Sequence, residues 1–428
     1  MNTLIPNYVP KTVFLLFCVA LALRLGLLAA YHKTYKTEMQ DARDFSAVAV
    51  SVLSGKGFAG LSGEPTFTRP PVYPLFLAAI YSVAGMSNDT AVKFVQCIVS
   101  ALSVLLLGAI AALIFGPTVG VTAGFFAALY PPLIIYSNIK LSETLFTFLL
   151  LLECLLIIKA LHSKGLRWLI YAGLVHGAAN LCRSTNLLFP FFLAALFLLL
   201  RVEKKTWIGL GTYFLIGSAI TSIWTVRNYR VFNTLLPVNV GAGHVMWLTI
   251  QDNIWQGDKL IEPDTGKIHE DYPETAGMPR YKWEKVVTRK IMEYALSNPV
   301  EYAGKLLVNN YRFWSIPVGK VLTAEKSAAA ARLVQLMHIF FLGLFFAGVY
   351  LARKNMAAAS PALVFILYSV ITQVPVIALP RYRLPMEPFM LLFAAYAAAG
   401  FASHIRNLNA PSTLPSLRRG EGEEVNKA

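Results

Sequence analysis

The sequence predicts an all-α, polytopic membrane protein. Two observations carry that prediction. Of 428 residues, 56% are hydrophobic and only 14% charged, where a soluble chain has roughly 25% charged residues. The apolar residues also gather into repeated runs long enough to cross a bilayer, near 13–31, 91–115, 118–136, 141–161, 167–182, 186–200, 207–225, 332–351, 357–378 and 386–404.

The first run, Val13 to Tyr31, lacks a small-residue cleavage motif and is read as a retained helix, not a signal peptide. The run Val72–Gly85 is shorter and crowded with prolines at its start. Its status follows from charge. Lys164 and Arg167, then Arg201, Lys204 and Lys205, then Arg353 and Lys354, then Arg406, Arg418 and Arg419 all suit cytoplasmic loops. With the N-terminus inside, every one of them falls inside only if Val72–Gly85 does not cross. It is therefore read as a re-entrant or interfacial helix, which leaves about ten spans.

Four parts follow. Residues 1–225 form an N-terminal transmembrane module with a first outer loop at 32–90. Residues 226–330 form a small extracytoplasmic domain, because aromatic residues recur in a polar stretch. Residues 331–405 hold the C-terminal helices, and 406–428 a basic disordered tail. The net charge of +15 is explained by cytoplasmic loops and does not indicate nucleic-acid binding. Cys18, Cys97, Cys154 and Cys182 all fall in apolar segments, so no disulfide framework is implied. No Cys/His cluster has structural-zinc spacing, and the lone His244 reads as structural first.

The same topology gathers charge at the outer face: Asp41, Asp44, Arg69, Lys93, Glu143, Arg183, Arg227, Arg381 and Arg383. Asp41 heads the segment DARDFSAVAVSVL, where Phe45, Val48, Ala49, Val52 and Leu53 follow at helical spacing. Asp41 borders that apolar stripe, Asp44 lies further round toward the polar side, and Gly55 and Gly57 end the helix. A carboxylate at the edge of a membrane-facing stripe is costly unless paired or used. Its pKa is expected to be raised by apolar surroundings and by Asp44, and pulled down once cations assemble around a bound phosphate. Glu143 opens a very apolar helix, and Arg183 and the pair Arg227–Asn228 follow spans. Arg381 and Arg383 sit outside in a short loop, against the positive-inside bias. An anion outside explains them, and guanidinium groups match phosphate bidentately. Carboxylates to deprotonate a nucleophile and cations to hold a phosphate leaving group make a transferase site.

These residues carry a resemblance. Asp41 to Phe45, Gly55-Lys56-Gly57-Phe58, Arg69-Pro-Pro-Val-Tyr73-Pro74, YPPLIIYS before SETLF, Arg183, WTVRNY and PRYRLP, in this order, resemble the GT-C superfamily of integral-membrane glycosyltransferases. The similarity is greatest to the bacterial branch related to protein O-mannosyltransferases and lipid A aminoarabinose transferases, and runs from about residue 13 to 400. It departs at Phe45, where the family usually has tyrosine. The resemblance implies an inverting hexosyl or pentosyl transfer from a polyprenyl-phosphate-linked sugar to a lipid, glycan or protein acceptor. The reaction would occur at the outer face of a prokaryotic inner membrane. It assigns Asp41 as general base, with Asp44 and Glu143 as further acidic residues. It makes Arg381 and Arg383 the phosphate cradle, and Arg69, Tyr73, Lys93, Arg183, Arg227, Asn228 and Tyr382 further substrate contacts. Some relatives use a divalent metal at this face and others none, so no cofactor is fixed. Two other readings were weighed: a secondary transporter of an anionic solute, and a non-catalytic lipid-binding member of the fold. The one-faced charge and the absence of two-half symmetry count against the first, and the intact acids and arginines against the second.

Overall fold

The computed structural model describes residues 9–31, 39–163, 165–239, 241–251, 255–256, 259–260, 266–315, 327–373 and 379–409. The expected disordered tail lies outside them beyond residue 409, as does part of the polar stretch 252–265.

Described in order, the helices are α1 (Val9–Tyr31), α2 (Gln40–Leu53), α3 (Val72–Ala84), α4 (Asp89–Phe115), α5 (Pro117–Leu129), α6 (Pro131–Tyr136), α7 (Glu143–Ser163), α8 (Leu166–Cys182), α9 (Phe189–Leu199), α10 (Lys204–Phe232), α11 (Ala242–Ile250), α12 (Gly266–Asp271), α13 (Arg280–Ser297), α14 (Pro299–Ser315), α15 (Ala328–Leu351), α16 (Met356–Gln373) and α17 (Glu387–Asn409). The strand content among the described residues is one two-residue antiparallel pair, Trp255–Gln256 with Lys259–Leu260. Among the described residues, six stretches are long and apolar enough to cross a membrane: 11–30, 89–115, 143–163, 204–232, 328–373 and 380–404. The fifth holds both α15 and α16, joined by a 3₁₀ turn at Ala352–Asn355. The shorter apolar helices α3, α5 and α9 complete the bundle with α8.

α3 has 13 residues, so it spans about 20 Å against a hydrocarbon core of about 30 Å. Pro71 precedes it, and Gly85 ends it at φ +98°. It packs on α2, and the two lie as a pair against α4 and α8. Ala42, Phe45, Val48 and Ala49 are the buried face of α2. The expected stripe holds there except at its end, where Leu53 is exposed because the helix is already unwinding toward Gly55 and Gly57, both at positive φ.

The expected span 118–136 is interrupted. Pro131 and Pro132 stop α5 and start the short α6, leaving backbone carbonyls without helical partners. Buried side chains supply them. Arg24 of α1 donates to the carbonyls of Ala127 and Ala128 and to Ser100 Oγ. Gln96 donates to the carbonyls of Ser137 and Ile139 at 3.2 and 2.7 Å. Irregular backbone among spans is tolerated only when so satisfied.

The main core runs through the bundle. A separate core of Trp247, Leu248, Ile268, Trp283, Val287 and Ile291 holds α11–α13 together beside α14. Here Gly243 lets α11 close on α13, since a Cβ would meet the Glu284 carbonyl at 2.4 Å. The Glu284 carboxylate accepts from the His244 backbone N–H at 3.0 Å and from Arg280 Nε at 3.2 Å. α10 reaches Phe232, so the bundle extends somewhat beyond the expected boundary at residue 225.

Candidate functional site

Four separate parts of the chain meet at one end of the bundle: α2, the loop before α3, the α7 and α8 ends, and the 3₁₀ helix Pro380–Met386. Asp41 lies in the first turn of α2. Its Oδ1 accepts from Arg69 Nη2 at 2.6 Å and its Oδ2 from Arg381 Nη2 at 2.9 Å. The same Arg69 nitrogen donates to Asp44 Oδ2 at 2.7 Å. The expectation that Asp44 turns toward the polar side is corrected here: one helical turn brings both acids onto a single guanidinium. Arg69 also lies over the Phe45 ring at 4.9 Å, and Phe45 meets Tyr73 edge-on at 4.8 Å. The aromatic carbon skeleton, with no hydroxyl, therefore suffices at position 45 to seat the arginine.

Beside this trio, Glu143 at the start of α7 takes Arg183 Nη1 at 3.0 Å through Oε1. Arg183 also donates to Ser142 Oγ at 3.0 Å and faces the Tyr382 ring at 5.7 Å. Three buried polar atoms at this end have no partner: Arg69 Nε, Arg381 Nε and Glu143 Oε2. Two are donors and one an acceptor, so the site offers hydrogen bonds that its own residues leave unmade.

The expected electrostatics of Asp41 are reversed. Burial does push its pKa up, but Arg381 and Arg69 outweigh it and hold the carboxyl down to about 2. Arg69 is correspondingly raised: burial opposes its charge, and Asp41 and Asp44 overcome that. The cations that lower Asp41 belong to the chain, so the acid is ionised before any ligand arrives.

The other expected contacts fall in different places. Arg383 is fully buried, with Nε on Glu387 Oε1 at 2.9 Å and a hydrogen bond to the Phe313 carbonyl. It pins α14 to α17 and faces away from Arg381. Three residues per turn set residues i and i+2 of a 3₁₀ helix on different sides. The structure does not bring Arg381 and Arg383 together as the pair expected from PRYRLP: Arg381 contacts Asp41, and Arg383 contacts Glu387. Tyr73 is buried, its hydroxyl donating to Gln96 Oε1 at 2.7 Å. Arg227 donates to the carbonyls of Thr66 and Phe58 at 2.8 and 3.1 Å, and Asn228 to those of Leu236 and Val238. Both hold loops in shape. Lys93 is half-buried beside Asp89 and Lys140, and Lys140 pairs with Asp89 at 2.5 Å. Tyr382 lines a groove with Arg183, Phe146, Leu150, Asn186 and Tyr368.

Sequence reasoning missed a buried network next to that groove. Glu153 accepts from Tyr213 Oη at 2.5 Å and Asn186 Nδ2 at 3.0 Å, and lies 3.0 Å from His176 Nδ1. A carboxylate ten residues inside an apolar helix was the available signal.

No group of three or more His, Cys, Asp or Glu side chains suited to a metal occurs among the described residues. Asp41, Asp44 and Glu143 are each matched to a guanidinium instead. The residues present do not fit a divalent ion, and no step below passes through one.

Residues 68–226 match the family model of dolichyl-phosphate-mannose-protein mannosyltransferase. That stretch includes Arg69, Glu143 and Arg183 and leaves out Asp41 and Arg381. No protein of curated function matches the sequence. Among solved structures, the chain is similar to the archaeal oligosaccharyltransferase AglB from Archaeoglobus fulgidus in complex with an inhibitory peptide and a dolichol-phosphate. The TM-score is 0.58 at 12% identity, over 94% of this chain and 51% of that one. It is also similar to the Archaeoglobus fulgidus oligosaccharyltransferase in complex with Zn and sulfate, at TM-score 0.57 and 12% identity, over 92% of this chain and 50% of that one. The chain thus spans about half the length of these relatives. ArnT from Cupriavidus metallidurans bound to undecaprenyl phosphate overlaps more loosely, at TM-score 0.42 and 12% identity, over 94% and 78% of the two chains. The resemblance read in the sequence agrees with this fold and this family match: the chain is a multi-pass membrane protein with the GT-C glycosyltransferase fold.

Proposed function

We propose that this protein transfers a sugar from a polyprenyl-phosphate donor to an acceptor hydroxyl or amine at the outer face of a prokaryotic plasma membrane. The observation that carries the reading is Asp41 held between Arg69 and Arg381, with Arg183–Glu143 alongside, at the end of an apolar bundle. Arg183 borders a small pocket of about 20 Å³ lined by Phe146, Leu150, Tyr368 and Tyr382, an apolar wall beside a cation that would have to widen to admit a lipid chain with an anionic head. The parity of the basic loops supports the outward orientation.

In the reaction, Asp41 takes the proton of the acceptor O–H or N–H. The freed electron pair forms a bond to the anomeric carbon, on the face opposite the phosphate. The bond from that carbon to the phosphate oxygen breaks, its electrons stay on that oxygen, and the sugar is inverted. Arg381, with Arg183, stabilises the charge gathering on the departing phosphate monoester. Asp41 at a pKa of about 2 is a poor base, since efficient proton transfer wants a pKa nearer the working pH. A donor phosphate competes with Asp41 for Arg381. Donor binding thereby loosens one of the two contacts that depress the carboxylate and makes it a stronger base.

The test is transfer by the purified protein in lipid nanodiscs, supplied with a polyprenyl-phosphate sugar and envelope extract from a strain lacking the gene. Mass spectrometry of the products should show one added sugar with wild type and none with Asp41→Asn. Transfer by Asp41→Asn at the wild-type rate would reject this assignment.

A further inference from the structure

A second cavity opens on the far side of Arg69. It measures about 230 Å³ and is roofed by the loop that precedes α3, with Asp44, Val48, Thr66, Thr68 and Arg69 at its base and Glu64 at its rim. It shares none of these residues with the groove of Arg183 and Tyr382. Asp41 has one oxygen on Arg69, which lines this cavity, and the other on Arg381, the chain neighbour of Tyr382 in the other pocket.

The roof is built, not a gap left by a loose loop. Within it, Gly60 N–H bonds to the Glu64 carbonyl, Gly63 N–H to that of Gly60, and Thr66 N–H to that of Phe58. Arg227 grips the carbonyls of Phe58 and Thr66 from α10. Asn239 reaches the Thr68 carbonyl at 3.4 Å.

Three features specify what fits. The lining combines the hydroxyls of Ser62, Thr66 and Thr68 and the carboxylates of Asp44 and Glu64 with the apolar side chains of Val48, Leu61 and Pro65. Thr66 Oγ1 and Thr68 Oγ1 are hydrogen-bonded to each other at 2.9 Å, which leaves one hydroxyl proton of the pair to donate to a ligand oxygen. Charge is the second feature. Asp44 and Glu64 face a single arginine that Asp41 and Asp44 already neutralise, so the cavity repels a phosphate and leaves anions to Arg381 and Arg183. The third is the backbone. The amides of Gly60, Gly63 and Thr66 and the carbonyls of Phe58, Gly60, Glu64, Thr66 and Thr68 are taken up within the loop or by Arg227 and Asn239, which breaks up any edge on which an extended peptide could be laid. The volume lies below the roughly 300 Å³ at which drug-sized ligand pockets begin and suits one ring.

On the proposed transferase reading, we infer that this cavity is the acceptor subsite and that it takes one neutral sugar ring, so that the acceptor is a glycan or glycolipid and the nucleophile one of its hydroxyls. A ring seated against Thr66, Thr68 and Asp44 presents its next hydroxyl past Arg69 to Asp41, opposite the donor groove.

Gly60 gives the test. It lies on the cavity wall, and a Cβ there meets Thr66 Cβ at an ordinary 3.6 Å, so Gly60→Leu fills the space without straining the loop. Gly60→Ala is the folding control. Saturation-transfer NMR on protein in nanodiscs would use methyl glycosides of neutral hexoses and, separately, a serine- and threonine-containing peptide. Native mass spectrometry of the same samples would follow undecaprenyl phosphate. The expected result is hexoside signal with wild type and Gly60→Ala, at least a tenfold loss with Gly60→Leu, and undecaprenyl phosphate bound equally by all three. The inference is overturned if no hexoside is engaged, if Gly60→Leu keeps the signal, or if the peptide is the ligand that Gly60→Leu displaces. Failure of wild type to bind undecaprenyl phosphate would instead strike the donor assignment, while the hexoside arm still decides the nature of the cavity.

Discussion

Asp41 and Arg381 are 340 residues apart in sequence and 2.9 Å apart in space. The contact joins the first helix after α1 to the turn before α17, so the site closes only when the two ends of the chain come together. On the proposed transferase reading, it is Arg381 for which a donor phosphate competes with Asp41. Arg381→Gln is expected to weaken undecaprenyl-phosphate binding, since a hydrogen bond to a charged group is worth about 1.5–3 kcal/mol, or roughly tenfold to a hundredfold in affinity. Arg383→Gln is expected to spare donor affinity per folded molecule and to lower thermal stability, because it leaves the buried Glu387 without its cation. Native mass spectrometry and a thermal melt on both variants separate the roles. Loss of donor binding confined to Arg383→Gln would reverse them.

The network around Glu153 gives a stability prediction. Glu153 is fully buried, and its removal strands the Tyr213 hydroxyl and leaves Asn186 and His176 only each other and Asn180. Each stranded buried group costs about 1–3 kcal/mol. Glu153→Ala should therefore melt well below wild type in detergent. Glu153→Gln keeps an acceptor and should lie between. Equal melting of Glu153→Ala and wild type would mean that the network carries no stability.

Much of the site was legible because it rests on short-range pattern. The stripe from Phe45 to Ala49 placed Asp41 at a helix border, and the short, proline-led run Val72–Gly85 is indeed a short helix of 13 residues. Sequence reasoning missed the break at Pro131 and Pro132: the apolar run 118–136 looked like one span, and the structure divides it into α5 and α6. Partnerships across long separations were not legible either. Nothing local says that Arg69 serves Asp41 and Asp44 together, or that Arg383 turns inward to Glu387. Arg24, Gln96, Glu153, His176 and Tyr213 each occur singly on separate helices. Only packing brings them to the carbonyls and the carboxylate that they satisfy.

The small core formed by α11, α12 and α13 should respond to acid through His244. Burial, aided by Arg280, lowers its pKa from 6.5 to about 4. Between those values the unfolded imidazole takes a proton and the folded one does not. Stability is therefore full above about pH 6.5, falls with pH through this window, and levels off near pH 4. Glu284, raised by burial, acts in the opposite sense, because its folded carboxyl keeps a proton that the unfolded one loses. The informative quantity is therefore the difference between wild type and His244→Phe, followed by hydrogen exchange in α11 and α13. Wild type should lose protection relative to the variant between pH 6.5 and pH 4. Parallel profiles would show that His244 does not couple to folding.

The final prediction concerns Asp41 itself. If it is the base, Asp41→Asn removes proton abstraction while keeping the side chain's shape, and general-base catalysis contributes roughly 10²–10⁴-fold. Transfer should fall by that order with donor binding retained. Asp44→Asn should do less. It removes one of the two acids on Arg69 but leaves Asp41 its own contacts to Arg69 and Arg381. Glu143→Gln should be intermediate, since its unpartnered Oε2 would orient the acceptor or the sugar. The pH profile adds a sign. With Asp41 held near 2 in the donor-free site, the acid limb of kcat/KM lies low, because that ratio reports the free enzyme. The acid limb of kcat should lie higher, because bound phosphate draws Arg381 away and the carboxylate's pKa climbs. Arg381→Gln should bring the two limbs together, since no cation is left for the donor to withdraw. Acid limbs at the same pH for kcat and kcat/KM in wild type would mean that Arg381 stays on Asp41 throughout turnover.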